Sequence, residues 1–270
     1  MRVVIYPYKF GSASAKALAS ALNTVRVRDV GRYVKKAGDI VIGWGSTMLP
    51  TWGTVDLNKP ESVARAVDKK VALSALKEAG VRTVEFTEDS DIVQQWLSNG
   101  NKVYARTLTR ASEGRGIHVL TRGMQIPSAS LYTLGINDGD EYRVHVFDGV
   151  VIDYTKKVPL DGSNPSVDAR NIKSHSNGWT FARNAERRPS IEEEAVKAVR
   201  ALGLDFGAVD IIVNPNDKNR PYVLEVNTAC GMEDGGRTIQ SYIDAINRYI
   251  NKKNVTKQNV SGGSRRRVRR

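Results

Sequence analysis

The chain reads as a mixed α+β protein with a short α/β unit at its front, and three stretches predict this. In the first 57 residues, strand-like runs (Val3 to Tyr8, Val25 to Val27, Asp39 to Gly45) alternate with an Ala-rich helical stretch, Ser12 to Leu22. That is the pattern of a small parallel α/β unit. The centre is rich in strands joined by tight turns, with Asn137-Asp138-Gly139-Asp140 and Asp148-Gly149 as punctuation. Near the end, two β-branched runs, Ala208 to Val213 and Tyr222 to Val226, flank a segment rich in Asn, Asp and Pro and read as a hairpin.

At 270 residues the chain can hold one large domain or two small ones. Its 40% hydrophobic and 26% charged content is ordinary for a globular protein. No apolar run approaches the roughly 20 residues needed to cross a bilayer, and Met1 to Tyr6 is a strand pattern without a signal-peptide core. A single cysteine, Cys230, excludes an internal disulfide framework and fits a reducing compartment. These features together predict a cytoplasmic protein without membrane contact.

The net charge of +12 is uneven. Residues 251–270 carry eight Lys and Arg and no acid, so removing them leaves +4 for residues 1–250. This stretch, with Ser261-Gly262-Gly263-Ser264 before its Arg cluster, reads as a disordered basic tail. It is either a contact for nucleic acid or another polyanion, or a solubilising end.

From Asn58 onward the elements follow in order. A helical pattern with Val63, Val67, Val71 and Leu76 runs to Gly80 and contains Asp68-Lys69, a pair that by itself reads as a solvated helix face. Val81 to Phe86 is a strand, Asp91 to Leu97 a helix, and Lys102 to Arg106 an alternating strand. Gly114-Arg115-Gly116 then leads into the strand Ile117 to Leu120; such glycines let backbone N–H groups approach phosphates, and they also occur in plain hairpins. Leu131 to Ile136 is a strand. Glu141 to Phe147 alternates, with Glu141, Arg143 and His145 on one face, and pairs with the strand beginning at Val150 that ends at Lys156 and Lys157. A polar loop from Pro159 to Ser176 holds Arg170, Asn171, Lys173 and His175. A helix from Ile191 to Leu202 follows, with Ser190 and Glu193 as a capping box. The last helix runs from Gln240 to Ile250.

If the late hairpin closes symmetrically about Asp217 and Lys218, Asp210 lies opposite Glu225. Val209, Ile211 and Val213 then face Val226, Leu224 and Tyr222, while Asp210, Glu225 and Asn227 share the other side. Three oxygen-bearing side chains there suit a hard cation such as Mg²⁺. The alternative is a plain solvent-facing strand side.

Together, Asp68-Lys69, Tyr104-Ala105-Arg106, Gly114-Arg115-Gly116, Glu141-Tyr142-Arg143, Asp210 and Leu224-Glu225-Val226-Asn227-Thr228-Ala229-Cys230-Gly231-Met232 resemble the ordered motifs of the ATP-grasp superfamily of carboxylate–amine ligases. The resemblance covers Asn58 to Ile250 and is nearest to the ribosomal-protein glutamate ligases and related phage-borne proteins. A phage-encoded protein acting in a bacterial host is therefore among the expectations. The resemblance implies two α+β subdomains clasping ATP, at residues 58–133 and 134–250, behind a subdomain at 1–57 and before the tail at 251–270. It implies transfer of the γ-phosphate to a carboxylate and attack of an amine on the acylphosphate. The expected partners are ATP, a carboxylate substrate and an amine acceptor.

By that resemblance Asp210, Glu225 and Asn227 hold Mg²⁺, two ions being expected with Glu225 bridging, and Mn²⁺ as a substitute. Lys69 and Arg106 reach the phosphates, and Gly114, Arg115 and Gly116 form the lid. Leu134, Gly135, Ile136 and Asn137 flank the adenine, and Glu141 takes the ribose hydroxyls. Arg143, and Lys156 or Lys157, act on the transferring phosphate or acyl oxygen, while His145 reads as structural. Three positions depart from the family pattern: Arg106 stands where Lys is usual, Ala208 where many relatives have Arg, and Cys230 where Pro is usual. A small buried thiol in the Pro position is the expectation for Cys230. The competing functions are an ATP-grasp kinase and a nucleotide-binding protein with a polyanion-binding tail.

Overall fold

The computed structural model describes residues 1–110, 115–160, 171–232 and 236–264, with side chains of the last helix described to residue 256. The chain divides into two compact units, Met1–Pro60 with Ala229–Arg270, and Glu61–Thr228. The sequence places residues 229–250 with the ATP-grasp region; the structure groups them with the N-terminal unit.

In the first unit β1 (Arg2–Pro7) and β2 (Asp39–Trp44) pair in parallel, both buried almost throughout. Helix α1 (Ala13–Ala21) is capped by Ser12, whose Oγ accepts from the Ala15 N–H at 3.3 Å. The strand expected at Val25 to Val27 shrinks to one parallel bridge, Arg26 to Ile5. Two backbone hydrogen bonds, Ile5 N–H to the Val25 carbonyl and Val27 N–H to the Ile5 carbonyl, hold it there. The C-terminal helix Arg237–Ser264 completes this unit. Its Tyr242 ring meets Trp44 edge-on at 5.5 Å, and the buried Cys230 Sγ lies 3.4 Å from the Tyr242 hydroxyl. The helix runs beyond Ile250, where the sequence predicts disorder, because no Gly or Pro interrupts residues 251–261. The Arg cluster at 265–270 lies outside the described residues.

The second unit starts with two helices where the sequence predicts one. Helices α2 (Pro60–Val67) and α3 (Lys69–Glu78) break at Asp68, whose extended backbone and side chain cap α3 through the Val71 N–H. Four strands, β3 (Phe86–Thr87), β4 (Val103–Arg106), β5 (Ile117–Leu120) and β6 (Leu131–Leu134), form an antiparallel sheet in the order β3-β6-β4-β5. The strand expected from Val81 survives only as β3 and a bridge from Thr83 to Val223. Helix α4 (Ser90–Ser98) covers one face through Val93 and Leu97 against Val103, Ala105 and Tyr132. Alternation therefore sends Tyr104 and Arg106 to the other face.

A five-stranded antiparallel sheet follows, from β7 (Asp140–Phe147), β8 (Val150–Pro159), β9 (Trp179–Ala182), β10 (Phe206–Asn214) and β11 (Arg220–Asn227). Its order is β11-β10-β7-β8-β9, and β9 is the one strand the sequence does not predict. Helix α5 (Pro189–Ala201) packs Ile191, Ala195, Ala198 and Val199 on Val144, Val146, Val209, Ile211, Val223 and Val226. That helix opens with Pro189 in its first turn and Arg188 as a cap without a side-chain hydrogen bond, so Ser190 lies inside it and the expected capping box is absent. Gly139 lets the β7 turn lie against β10, since a Cβ there would meet Ile212 Cγ1 at 2.5 Å and the Val213 carbonyl at 2.7 Å. No helix among the described residues is long and apolar enough to cross a membrane.

Candidate functional site

With one face of the five-stranded sheet given to α5 and the core, the opposite face holds the polar residues of β7, β10 and β11. Asp210 sits opposite Glu225 as predicted, and opposite Arg143 on its other side. The hairpin is not symmetric, however. Beyond Asp210 the pairing shifts to Ile211–Val223 and Val213–Pro221, leaving Leu224 as the extra residue of a bulge. Val223 and Val226 therefore supply the core, while Tyr222 and Leu224 are only partly buried.

Asp210, 7% exposed, is held by a two-pronged contact from Arg143: Nε to Oδ1 at 2.7 Å and Nη2 to Oδ2 at 2.8 Å. Burial would raise this carboxyl, but the guanidinium prevails and keeps it below the ordinary carboxylate range. The Asn227 amide donates to Asp210 Oδ2 at 3.3 Å and Glu225 Oε1 at 3.2 Å, gathering the two acids around one side chain. Glu225 Oε2 lies 3.2 Å from Lys69 Nζ.

Lys69 is thus no solvated-face residue. It opens α3, where the helix dipole disfavours a cation, and Glu225 offsets that cost. The start of α3 is fixed by Asp68, which also receives Arg110 Nε at 3.0 Å, and by the Lys69 N–H bonded to the Thr109 carbonyl. Arg106 is largely buried near Glu225, and its Nε finds no hydrogen-bond partner among the described residues. Burial depresses its pKa, with Glu225 opposing the shift. A buried guanidinium N–H without an acceptor is rare, and its natural partner is an anion.

Gly116 takes φ +71°, and a Cβ there would lie 2.9 Å from Thr107 Oγ1. Glycine is therefore required at this turn before β5. Arg115 is exposed on the same turn. Gly114 lies outside the described residues, as does Arg170.

Strand parity separates the two candidate lysines. Lys157 Nζ contacts Glu141 Oε2 at 2.8 Å, on the site face. Lys156 pairs with Asp140 at 2.8 Å and sits over Tyr142, a core-face residue. Lys156 is therefore corrected out of the site, because adjacent strand residues point to opposite faces. Glu141 is also approached by Lys173 at 3.6 Å, and Lys173 donates to the Gly139 carbonyl at 2.6 Å. Leu134 and Gly135 already donate their N–H groups to the Glu85 and Lys102 carbonyls, so this segment is pinned at its start. Asn171 accepts from Lys102 and, through its carbonyl, from the Tyr104 hydroxyl at 3.0 Å. His175 begins a short 3-10 turn and is exposed. His145 is fully buried on the site face, and burial with the adjacent Arg143 pushes its pKa down to about 3. It is therefore neutral at physiological pH.

One residue of the site has no counterpart in the sequence reading. The β9 residue Phe181 lies under both Arg143, 4.6 Å from its ring centre, and Lys157 at 5.9 Å. The alternation Trp179-Thr180-Phe181-Ala182 is the only local signal for that strand.

Among the described residues no three His, Cys, Asp or Glu gather as a ready metal site. Two carboxylates, Asp210 and Glu225, do converge on one face around the Asn227 amide, which turns its Nδ2 to both and would add its oxygen only if the amide turned over. They fit a hard cation that takes one or two carboxylates and completes its shell with phosphate and water.

No model of a known protein family matches the chain. A probable alpha-L-glutamate ligase of Xanthomonas campestris pv. campestris (strain B100) is 26% identical over 241 residues, covering 79% of each chain. Among solved structures, an ATP-grasp ligase PsnB complexed with minimal precursor matches with a TM-score of 0.63 at 15% identity, over 86% of this chain and 92% of that one. A D-alanine--D-alanine ligase from Bacillus anthracis complexed with ATP matches with a TM-score of 0.63 at 13% identity, over 93% and 99%. The sheets, the polar face between Lys69 and Asn227 and these likenesses converge: the chain has the ATP-grasp fold and over most of its length is similar to ATP-dependent ligases.

Proposed function

We propose that the protein forms an amide bond by activating a carboxylate with ATP and passing the acyl group to an amine. The observation that carries this reading is the Arg106 Nε, buried beside Glu225 and Lys69 and without a hydrogen-bond partner among the described residues, a cationic seat for a polyphosphate. Phosphoryl transfer needs mainly positioning and neutralised charge, which this face supplies.

The roles follow from placement. Lys69 and Arg106 bind the β- and γ-phosphates. Asp210, Glu225 and Asn227 are the residues that would hold one or two Mg²⁺ ions, with Mn²⁺ able to replace them, and the bound metal would supply charge neutralisation to the phosphate oxygens. Each Asp210 oxygen keeps a lone pair beyond its contact with Arg143, so the carboxylate could hold a metal with the guanidinium still beside it, facing the γ-phosphate or the acyl oxygen. Glu141, between Lys157 and Lys173, meets the ribose hydroxyls, and Lys157 acts on the transferring phosphate with Arg143. Ile136 and Asn137 offer the main-chain contacts to adenine, since Leu134 and Gly135 are committed elsewhere. The turn at Arg115 and Gly116 belongs to a lid that excludes water from the activated acyl group.

The chemistry balances as two displacements. A carboxylate oxygen attacks the γ-phosphorus, the bond to ADP breaks, and an acylphosphate forms. An amine nitrogen then attacks the acyl carbon, phosphate leaves, and the amine proton passes to solvent or a carboxylate. With its relatives' names as guide, the carboxylate donor is an amino acid of the glutamate type and the acceptor a peptide or small amine.

Incubation with ATP, Mg²⁺, hydroxylamine and a panel of amino acids tests this. Hydroxamate and ADP forming together with one donor support it and identify that donor. A stable phosphoester with no amine requirement would instead establish a kinase, and absence of Mg²⁺-dependent ATP binding would remove both.

A further inference from the structure

Residues 1–57 hold eight Lys and Arg against three Asp, a net +5. Taking that from the +4 of residues 1–250 leaves −1 for residues 58–250. The basic character ahead of the C-terminal stretch therefore belongs wholly to the N-terminal segment. Its acids are engaged there: Asp39 with Arg2 at 2.7 Å, Asp56 with Lys35 at 2.7 Å, and Asp29 accepting the Thr51 N–H at 2.7 Å.

Two of the remaining cations, Arg26 and Arg28, meet at one edge. β1, the Arg26 bridge segment and β2 run parallel, so the segments that follow each leave from the same end of the sheet. Open α/β sheets bind ligands at that end. Phe10 lies there with the Arg26 and Arg28 guanidiniums 4.4 and 4.0 Å from its ring centre, and Arg26 also donates to the Phe10 carbonyl. Neither arginine makes an ion pair among the described residues. Two like charges held against one ring are an unsatisfied demand for carboxylate or phosphate.

The segments that follow Arg28 and β2 carry four exposed apolar side chains, Val30 (88%), Val34 (72%), Met48 (62%) and Leu49 (72%). They sit on segments that are cross-linked. Trp52 Nε1 donates to the Arg28 carbonyl at 2.7 Å, the Tyr33 and Trp52 rings meet at 4.7 Å, and Lys35 donates to the Thr54 carbonyl at 3.0 Å. Exposed apolar side chains on such cross-linked segments, with two arginines on one of them, mark an interaction surface.

We propose that this edge docks an extended peptide segment carrying both acidic and apolar side chains. Its carboxylates pair with Arg26 and Arg28, and its apolar side chains cover Val30, Val34, Met48 and Leu49. Nucleic acid fits less well: Phe10 is already covered by guanidiniums and offers no platform for a base, and the aliphatic residues have no use on a phosphate backbone. The proposal does not depend on the ligation chemistry, because every residue it uses lies in the N-terminal segment.

The test titrates the full chain with a labelled synthetic peptide of alternating Glu and Leu, read by fluorescence anisotropy. Saturable binding is expected, weakened about tenfold in the double variant Arg26→Gln/Arg28→Gln and severalfold in Val30→Ser/Leu49→Ser. The Gln/Leu version of the peptide should bind about tenfold more weakly. The substituted side chains of the second variant are exposed, so it keeps the test valid if the first fails to fold, which circular dichroism reports. No saturation by about 1 mM overturns the proposal. Equal binding of the Gln/Leu peptide does so too, as does oligo(dT) displacing the Glu/Leu peptide with the same sensitivity to both variants. A wild-type dimer that Val30→Ser/Leu49→Ser dissociates would assign the surface to self-association instead.

Discussion

Arg106→Met should make the protein more stable without nucleotide and worse at binding ATP. The buried Nε of Arg106 lacks a hydrogen-bond partner among the described residues, and an unsatisfied buried donor costs about 1–3 kcal/mol. Met fills a similar volume without that cost, and Glu225 still keeps Lys69 at 3.2 Å. The nucleotide-free protein should therefore gain about 1–2 kcal/mol, a rise of roughly 3–6 °C in Tm for a unit of this size. The same change removes a charge-assisted contact to phosphate, about 1.5–3 kcal/mol, so ATP affinity should fall roughly 10- to 150-fold. Differential scanning calorimetry without nucleotide and titration calorimetry with ATP and Mg²⁺ read the two effects. Arg106→Lys, which restores the charge, should recover most of the affinity. A lower nucleotide-free Tm combined with unchanged ATP affinity would refute the reasoning, because Arg106 would then serve the fold and not a ligand.

Four further outcomes are expected. Asp210→Asn weakens the two-pronged contact with the part-buried Arg143 and should destabilise the fold by about 2–4 kcal/mol, whereas the partly exposed Glu225→Gln should leave Tm nearly unchanged while abolishing Mg²⁺-dependent turnover; paired melts and ADP-release assays separate them. His145, neutral when folded and at about 3 rather than its ordinary 6.5, is protonated preferentially in the unfolded chain. Stability should therefore fall as pH drops below about 6.5 and continue falling toward 3, by up to about 1.4 kcal/mol per pH unit, and His145→Asn should flatten that slope in urea melts. Phe181→Leu removes the ring beneath Arg143 and Lys157 and should lower kcat about threefold to tenfold with ATP affinity held, measured by steady-state kinetics beside nucleotide titration. Gly116→Ala forces a side chain into φ +71° against Thr107 and should cost about 1–3 kcal/mol, read as a lowered urea midpoint.

Much of the site was legible because its residues break local rules. Asp210 and Glu225 interrupt apolar strands, and their cross-strand pairing follows from the spacing of two runs around one turn. Lys69 was legible only as part of an ordered set of motifs. Alone it resembles any surface lysine, and its meaning lies in Glu225, far along the chain. Asp68 was misread for a related reason: a helical pattern continues across it, and only the chain's return through Thr109 and Arg110 fixes it as a cap.

By itself the sequence determined the front α/β unit, the strand-rich second unit and the acidic face of the last hairpin, since alternation, turn residues and apolar spacing are local properties of the chain. Tertiary structure alone decided which of Lys156 and Lys157 faces that site, that Leu224 bulges out of register, that Phe181 underlies two cations, and that the Arg106 Nε is buried with no hydrogen-bond partner among the described residues. A single-residue slip reverses a strand's faces, and burial is set by segments distant in sequence, so neither can be read from neighbours along the chain.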